Sequence, residues 1–144
     1  SDITENINEF FGFINAFLIG LGSISLLVAG VSILNVMLMS TVERREEIGV
    51  LRAVGFQKRD VLKIMLTEAA LLGLAGGVIG AVLAVGVGML VAQFALGDPT
   101  AVLIPENIQF VVLGVGLGLV TSVLSGLYPA WKAANEHPVE ALRG

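Results

Sequence analysis

The residues of this chain able to do chemistry are crowded into one segment, Glu43 to Glu68, reading ERREEIGVLRAVGFQKRDVLKIMLTE. It holds Arg44, Arg45, Arg52, Lys58, Arg59 and Lys63, six of the eight Lys and Arg residues. It also holds the acids Glu43, Glu46, Glu47, Asp60 and Glu68. Apolar residues at Ile48, Leu51 and Val54, then at Val61, Leu62 and Met65, are interleaved at helical spacing. Mixed charge with a small apolar edge is the chemistry of recognition rather than of catalysis. Catalytic chemistry has no foothold elsewhere. There is no cysteine, hence no disulfide, thiolate or cysteine nucleophile. The one histidine, His137, has no second histidine or cysteine with which to hold a metal. There is no P-loop glycine motif and no serine–histidine–acid grouping, so neither a cofactor nor a nucleic-acid partner is expected.

Three charge-free stretches surround that segment: Phe10 to Val42, Ala69 to Gly97 and Asn107 to Trp131. They run to 33, 29 and 25 residues, and about 20 apolar residues suffice to cross a bilayer as a helix. Hydrophobic residues make up 56% and mean hydropathy is +0.91. Charged residues are 14%, against about 25% in soluble domains. The expected fold is an all-α membrane protein with three transmembrane helices and an amphipathic cytoplasmic helix between the first and second. The expected divisions are 1–9 as the end of a stalk, 10–42 as a span and 43–68 as the cytoplasmic segment. A second span at 69–97, an outer loop at 98–106, a third span at 107–131 and a cytoplasmic tail at 132–144 complete them. With Ser1 at its start and no room for a second domain, the chain reads as a piece of a longer protein.

Orientation follows from the bases. Lys132 and Arg143 join the six already named, so all eight fall on one predicted side. The other side carries only Asp2, Glu5, Glu9, Asp98 and Glu106. Short loops rich in Lys and Arg stay cytoplasmic, which places the N-terminus outside and the C-terminus inside. Phe10, Phe11, Phe13, Phe94 and Phe110 mark the outer boundary, and Tyr128 and Trp131 the inner one.

Gly55 stands where a first short amphipathic helix would end, and Asp60 where a second would begin. The second span carries two rows of small residues: Ala69, Gly73, Gly77 and Ala81, and beside it Gly76, Gly80, Ala84 and Gly88. The third span has Gly114, Gly118, Ser122 and Gly126. Small residues every fourth position let helices approach closely in lipid, so these rows predict packing between the two spans. Asn15, Asn35, Gln93, Ser23, Ser25, Ser32, Ser122 and Ser125 are expected mainly to make hydrogen bonds between helices. No span holds a charge or a proline at its centre, which argues against an ion-coupled carrier. On the residues alone, 43–68 is either a helix lying on anionic lipid or one that docks in a groove on another protein.

Three passages resemble the C-terminal membrane domain of FtsX-like permeases, the MacB and lipoprotein-release class of ABC transporters. They are NVMLMSTVERREEIGVLRAVGF (35–56), Glu68 with AALLGLAGGVIG (69–80), and YPAWKAANEHPVEALRG (128–144). The resemblance implies a permease that does not hydrolyse ATP and passes on the motion of a nucleotide-binding subunit or domain. In that reading residues 43–56 include the coupling helix, with Glu46, Ile48, Gly49, Val50, Leu51, Arg52 and Gly55 at the ATPase contact. Apolar members would dock, charged ones would pair with the rim, and Gly49 would allow close approach. The family's dimeric habit implies a second permease copy, met along the first span through Gly22, Ser25 and Ala29. Remaining alternatives are a small regulatory or assembly protein in the membrane with no ATPase partner, and a channel or carrier.

Overall fold

The computed structural model describes residues 1–135. Residues 136–144 of the expected cytoplasmic tail, with His137 and Arg143, lie outside them. Helix α1 spans Asp2–Glu43, α2 Arg45–Ala53, α3 Lys58–Leu96 and α4 Pro105–Ala134, with a 3-10 turn at Pro99–Val102 before α4. Three of these helices, α1, α3 and α4, are long and apolar enough to cross a membrane.

Local chemistry explains each boundary. The Ser1 hydroxyl accepts the Thr4 N–H at 3.4 Å, and Asp2 and Glu5 sit in the first turn, where helix N–H groups favour negative charge. At 42 residues and 1.5 Å rise, α1 is about 60 Å long, well beyond the thickness of a hydrocarbon core. Its acidic first turns continue the membrane helix without a break. Gly55, at φ 111°, reverses the chain after α2 in a conformation that a side chain resists. The Gln57 N–H then donates to Asp60 Oδ2 at 2.8 Å, starting α3. From there no breaker intervenes before Gly97, whose left-handed φ of 72° ends the helix. The second short amphipathic helix expected after Gly55 is therefore the first turns of α3 itself, continuous with the second long helix. Thr100 donates from its N–H and its hydroxyl to Asp98. Those bonds, the hydroxyl's first, hold the exposed Asp98 carboxyl below its usual pKa. Pro105 opens α4 at a position that needs no N–H. Pro129 lies inside α4 and is buried, and the helix runs on past it to Ala134.

Helix α4 is the centre of the bundle: α3 packs along it and α1 crosses it. The buried residues gather at the end of the bundle that bears α2. There Met37, Ile48, Val61, Met65, Ala69, Ala130, Ala133 and Ala134 form one apolar cluster. At the far end, large apolar residues such as Phe10, Phe17, Phe94 and Phe110 face outward, as the lipid-facing surface of a spanning helix does.

Candidate functional site at the α1–α2 corner

One residue makes the corner. Arg44 lies between α1 and α2; its N–H donates to Ser40 O at 3.0 Å and its carbonyl accepts the Ile48 N–H at 3.0 Å. The backbone of Arg44 thus closes one helix and opens the next. Its guanidinium reaches outward to two acids. Nη1 donates to Glu68 Oε1 on α3, and Nε donates to Glu47 Oε2 on α2 at 3.4 Å. The hydrogen bond to Glu68 raises the Arg44 pKa, with burial opposing it and Glu47 adding to it. Arg44 is therefore a fixed charge. Beneath it Thr41 is buried and donates its hydroxyl to Met37 O at 2.8 Å. Lys58 Nζ donates to Asn135 Oδ1 at 3.0 Å, tying the start of α3 to the end of α4.

Helix α2 presents two faces. Ile48 and Gly49 are buried, with Ile48 in the chain's own apolar cluster beside Met37 and Met65. Leu51 and Arg52 are half-buried, and Arg52 Nε has no hydrogen-bond partner among the described residues. Glu46, Glu47, Val50, Val54 and Gly55 are exposed. The expected contact residues are thus divided: Ile48 and Gly49 hold the helix in place, while Glu46, Val50 and Gly55 lie open.

The small-residue rows also separate. A Cβ on Gly73 would overlap the Ser122 side chain and lie 3.0 Å from Gly118 O. On Gly126 it would meet Ala69 Cβ at 2.6 Å, and on Gly77 it would meet Val115 at 3.3 Å. A Cβ on Gly118 would lie 3.7 Å from both Gly73 O and Gly77 Cα, an ordinary contact. Here α3 and α4 touch backbone to backbone, and the Ser122 hydroxyl donates across to Ala69 O. Gly76, Gly80 and Gly114 have nothing within 4 Å of a Cβ position. They line an apolar groove of about 570 Å³ with Leu26 and Ala29 of α1. On α1, Gly22 is likewise open, whereas a Cβ on Gly30 would meet Ser125 Oγ at 2.9 Å. Gly30 is the crossing point of α1 and α4, a role the spacing of small residues did not single out. Most of the span serines do not link helices. Ser23, Ser25, Ser32 and Ser125 donate to the carbonyl four residues earlier on their own helix, at 2.7 to 2.9 Å, an outlet always within reach of a helical serine. The geometry assembles a half-buried, half-exposed short helix and an ion-paired corner; among the described residues no group of acids and histidines is placed to hold a metal.

The family model described as FtsX-like permease C-terminal matches residues 12–138. The chain belongs to the FtsX-like permease family. The matched range takes in the whole α1–α2 corner, all of α3 and α4, and all but the first turns of α1. Among curated relatives, this FtsX-like chain is 36% identical over 143 residues to the macrolide export ATP-binding/permease protein MacB of Bdellovibrio bacteriovorus. That alignment covers 99% of the chain and 21% of MacB. It is 36% identical over 147 residues to the uncharacterized ABC transporter permease MJ1507 of Methanocaldococcus jannaschii, covering 99% of the chain and 36% of that protein. It is 42% identical over 125 residues to the pyoverdine export ATP-binding/permease protein PvdT of Pseudomonas entomophila, covering 85% of the chain and 18% of PvdT. The FtsX-like chain thus spans between about a fifth and about a third of the length of these relatives. With its family and its three long apolar helices, it is a multi-pass membrane protein.

Proposed function

We propose that this chain is the membrane segment of an ABC transporter permease in which α2 is the coupling helix. It docks on an ATP-binding subunit or domain and passes that partner's motion into α1 and α3. The ATP chemistry belongs to the partner, and this chain contributes no catalytic group. The observation that carries the reading is the division of α2. One face is anchored by Ile48 in the core and by Arg44 at the corner, and the other offers Glu46, Val50 and Val54 outward. A short helix held at the junction of two long ones, with an exposed face of acidic and apolar residues, suits docking in a protein groove. An interfacial helix on anionic lipid would lead with bases, whereas the exposed residues of α2 include Glu46 and Glu47. The grouping of the basic residues supports a cytoplasmic α2 end and an outer turn at Pro99–Val102. A second permease copy is the expected partner of the exposed length of α1, within the bilayer. The names of the relatives, which pair ATP-binding with permease in MacB and PvdT and give permease alone in MJ1507, support both fused and separate partners. Cargo export, as in the names of MacB and PvdT, belongs to this reading only as the class of work performed.

The test is retention of the ATP-binding partner by the full-length permease. Val50→Asp puts a charge on the exposed apolar patch of α2 without touching the core. The partner should be lost on affinity purification while the permease stays folded and membrane-inserted. Full retention of the partner would refute α2 as its docking helix.

A further inference from the structure

We propose that the Arg44–Glu68 ion pair is the fulcrum of this segment, pinning the α1–α2 corner to α3 so that force on α2 swings the far end of α1. The inference rests on the coupling reading above. Its foundation is the way α1 is held. Along its length α1 packs mainly on α4, and its outer end, from Asp2 to Phe13, is exposed. Between its middle and α3 lies the open groove, with free space over Gly76 and Gly80. At the charged end the situation reverses. Met37 and Thr41 are buried, Ile48 and Met65 close the layer beneath, and Arg44 bridges to Glu68. One end of a long helix is pinned, and the other is exposed among the described residues.

The pin suits that task. Arg44 belongs to the corner through its backbone, to α2 through Glu47 and to α3 through Glu68. Both partners of the bridge are 35% exposed, so water only partly screens the pair and removing one charge leaves the other half-buried. Arg44 and Glu68 are positioning residues. Without them a push on α2 would bend the single-residue junction at Arg44 rather than reach α1. With them, α2 and the base of α1 turn together about α3.

Spin labels at Ile7, near the outer tip of α1, and at Phe94, near the outer end of α3, read that swing directly. Both side chains are exposed, at 49% and 89%. The experiment uses the full-length permease with its ATP-binding partner in lipid nanodiscs, with and without a non-hydrolysable ATP analogue. The Ile7–Phe94 distance is expected to shift by several ångströms, on the scale of helix movements in known switches. Arg44→Glu and Glu68→Arg should each abolish the shift while the permease still retains the ATPase. The reversed pair R44E/E68R should recover at least about half of it, as expected when two residues act through each other. Arg44→Lys, which keeps the charge, should retain it too. A pair that merely stabilises the fold would lower yield or melting temperature in the single variants without uncoupling the outer shift from ATPase binding. Single reversals that keep the shift, or a swap that folds and binds the ATPase without restoring it, would overturn the fulcrum. A wild-type permease that neither retains the ATPase nor shifts would overturn the coupling reading, and the fulcrum with it.

Discussion

At the residue scale, one substitution has opposite effects depending on which face of α3 receives it. Gly73→Ala places a methyl against Ser122 and the Gly118 carbonyl, neither of which can withdraw without separating the helices. It should cost about 2 kcal/mol, in the range of overpacked cores. Gly126→Ala, meeting Ala69 Cβ at 2.6 Å, should cost a similar amount. Gly76→Ala and Gly80→Ala meet nothing and should be neutral or gain up to about 1 kcal/mol from helix propensity. Unfolding midpoints in one detergent would compare all four. Ser122→Ala deletes the hydrogen bond to Ala69 O and should cost about 1 kcal/mol, as such bonds between membrane helices do. The periodicity of small residues was legible in the sequence, but not the face that finds a neighbour. Rows that begin at Ala69 and at Gly76 have the same spacing on the same helix. Only the approach of α4 distinguishes them, and that depends on side chains far away in sequence, Val115 and Ser122 among them. Gly30 was hidden for the same reason, being one of several α1 glycines with no local sign of its contact.

At the scale of elements, the long helices were the most legible feature, because absence of charge over 25 or more residues leaves a chain in lipid no alternative but a helix. Their ends were less so. Lys58 to Glu68 is rich in charge and reads as separate from the span, yet a helix needs no change of backbone to pass from water into lipid. The capped start at Gln57 and the absence of any breaker run the two together as α3. The inward turn of Ile48 and Gly49 could not be read from α2 alone. A nine-residue amphipathic helix has one apolar side to offer, and a partner protein or the chain's own core can take it. The core takes it, leaving Val50 and Val54 outward. Gly55 is the element-level weak point. With φ at 111°, Gly55→Ala should cost about 1 kcal/mol or more, seen as a lower melting temperature and loosened attachment of α2.

At the scale of the whole molecule, the buried apolar cluster lies at the charged end of the bundle, the end that the proposed function makes the base of a lever. The groove between α1, α3 and α4 is lined by no charged residue. Orientation is the first global expectation. In intact cells, a single cysteine at Thr100 should react with a membrane-impermeant maleimide. One at Val54 should react only after permeabilisation. The central claim, that α2 is the element touching the ATPase, is tested most directly by crosslinking. A single cysteine at Val50, which is 51% exposed in a stretch free of native cysteine, is introduced into the full-length permease and joined to the ATP-binding partner by a short bifunctional reagent. The account predicts a crosslink to the partner whose yield changes between the nucleotide-free and ATP-bound states. A Val50 cysteine that never joins the partner in either state and is instead shielded by lipid would contradict it.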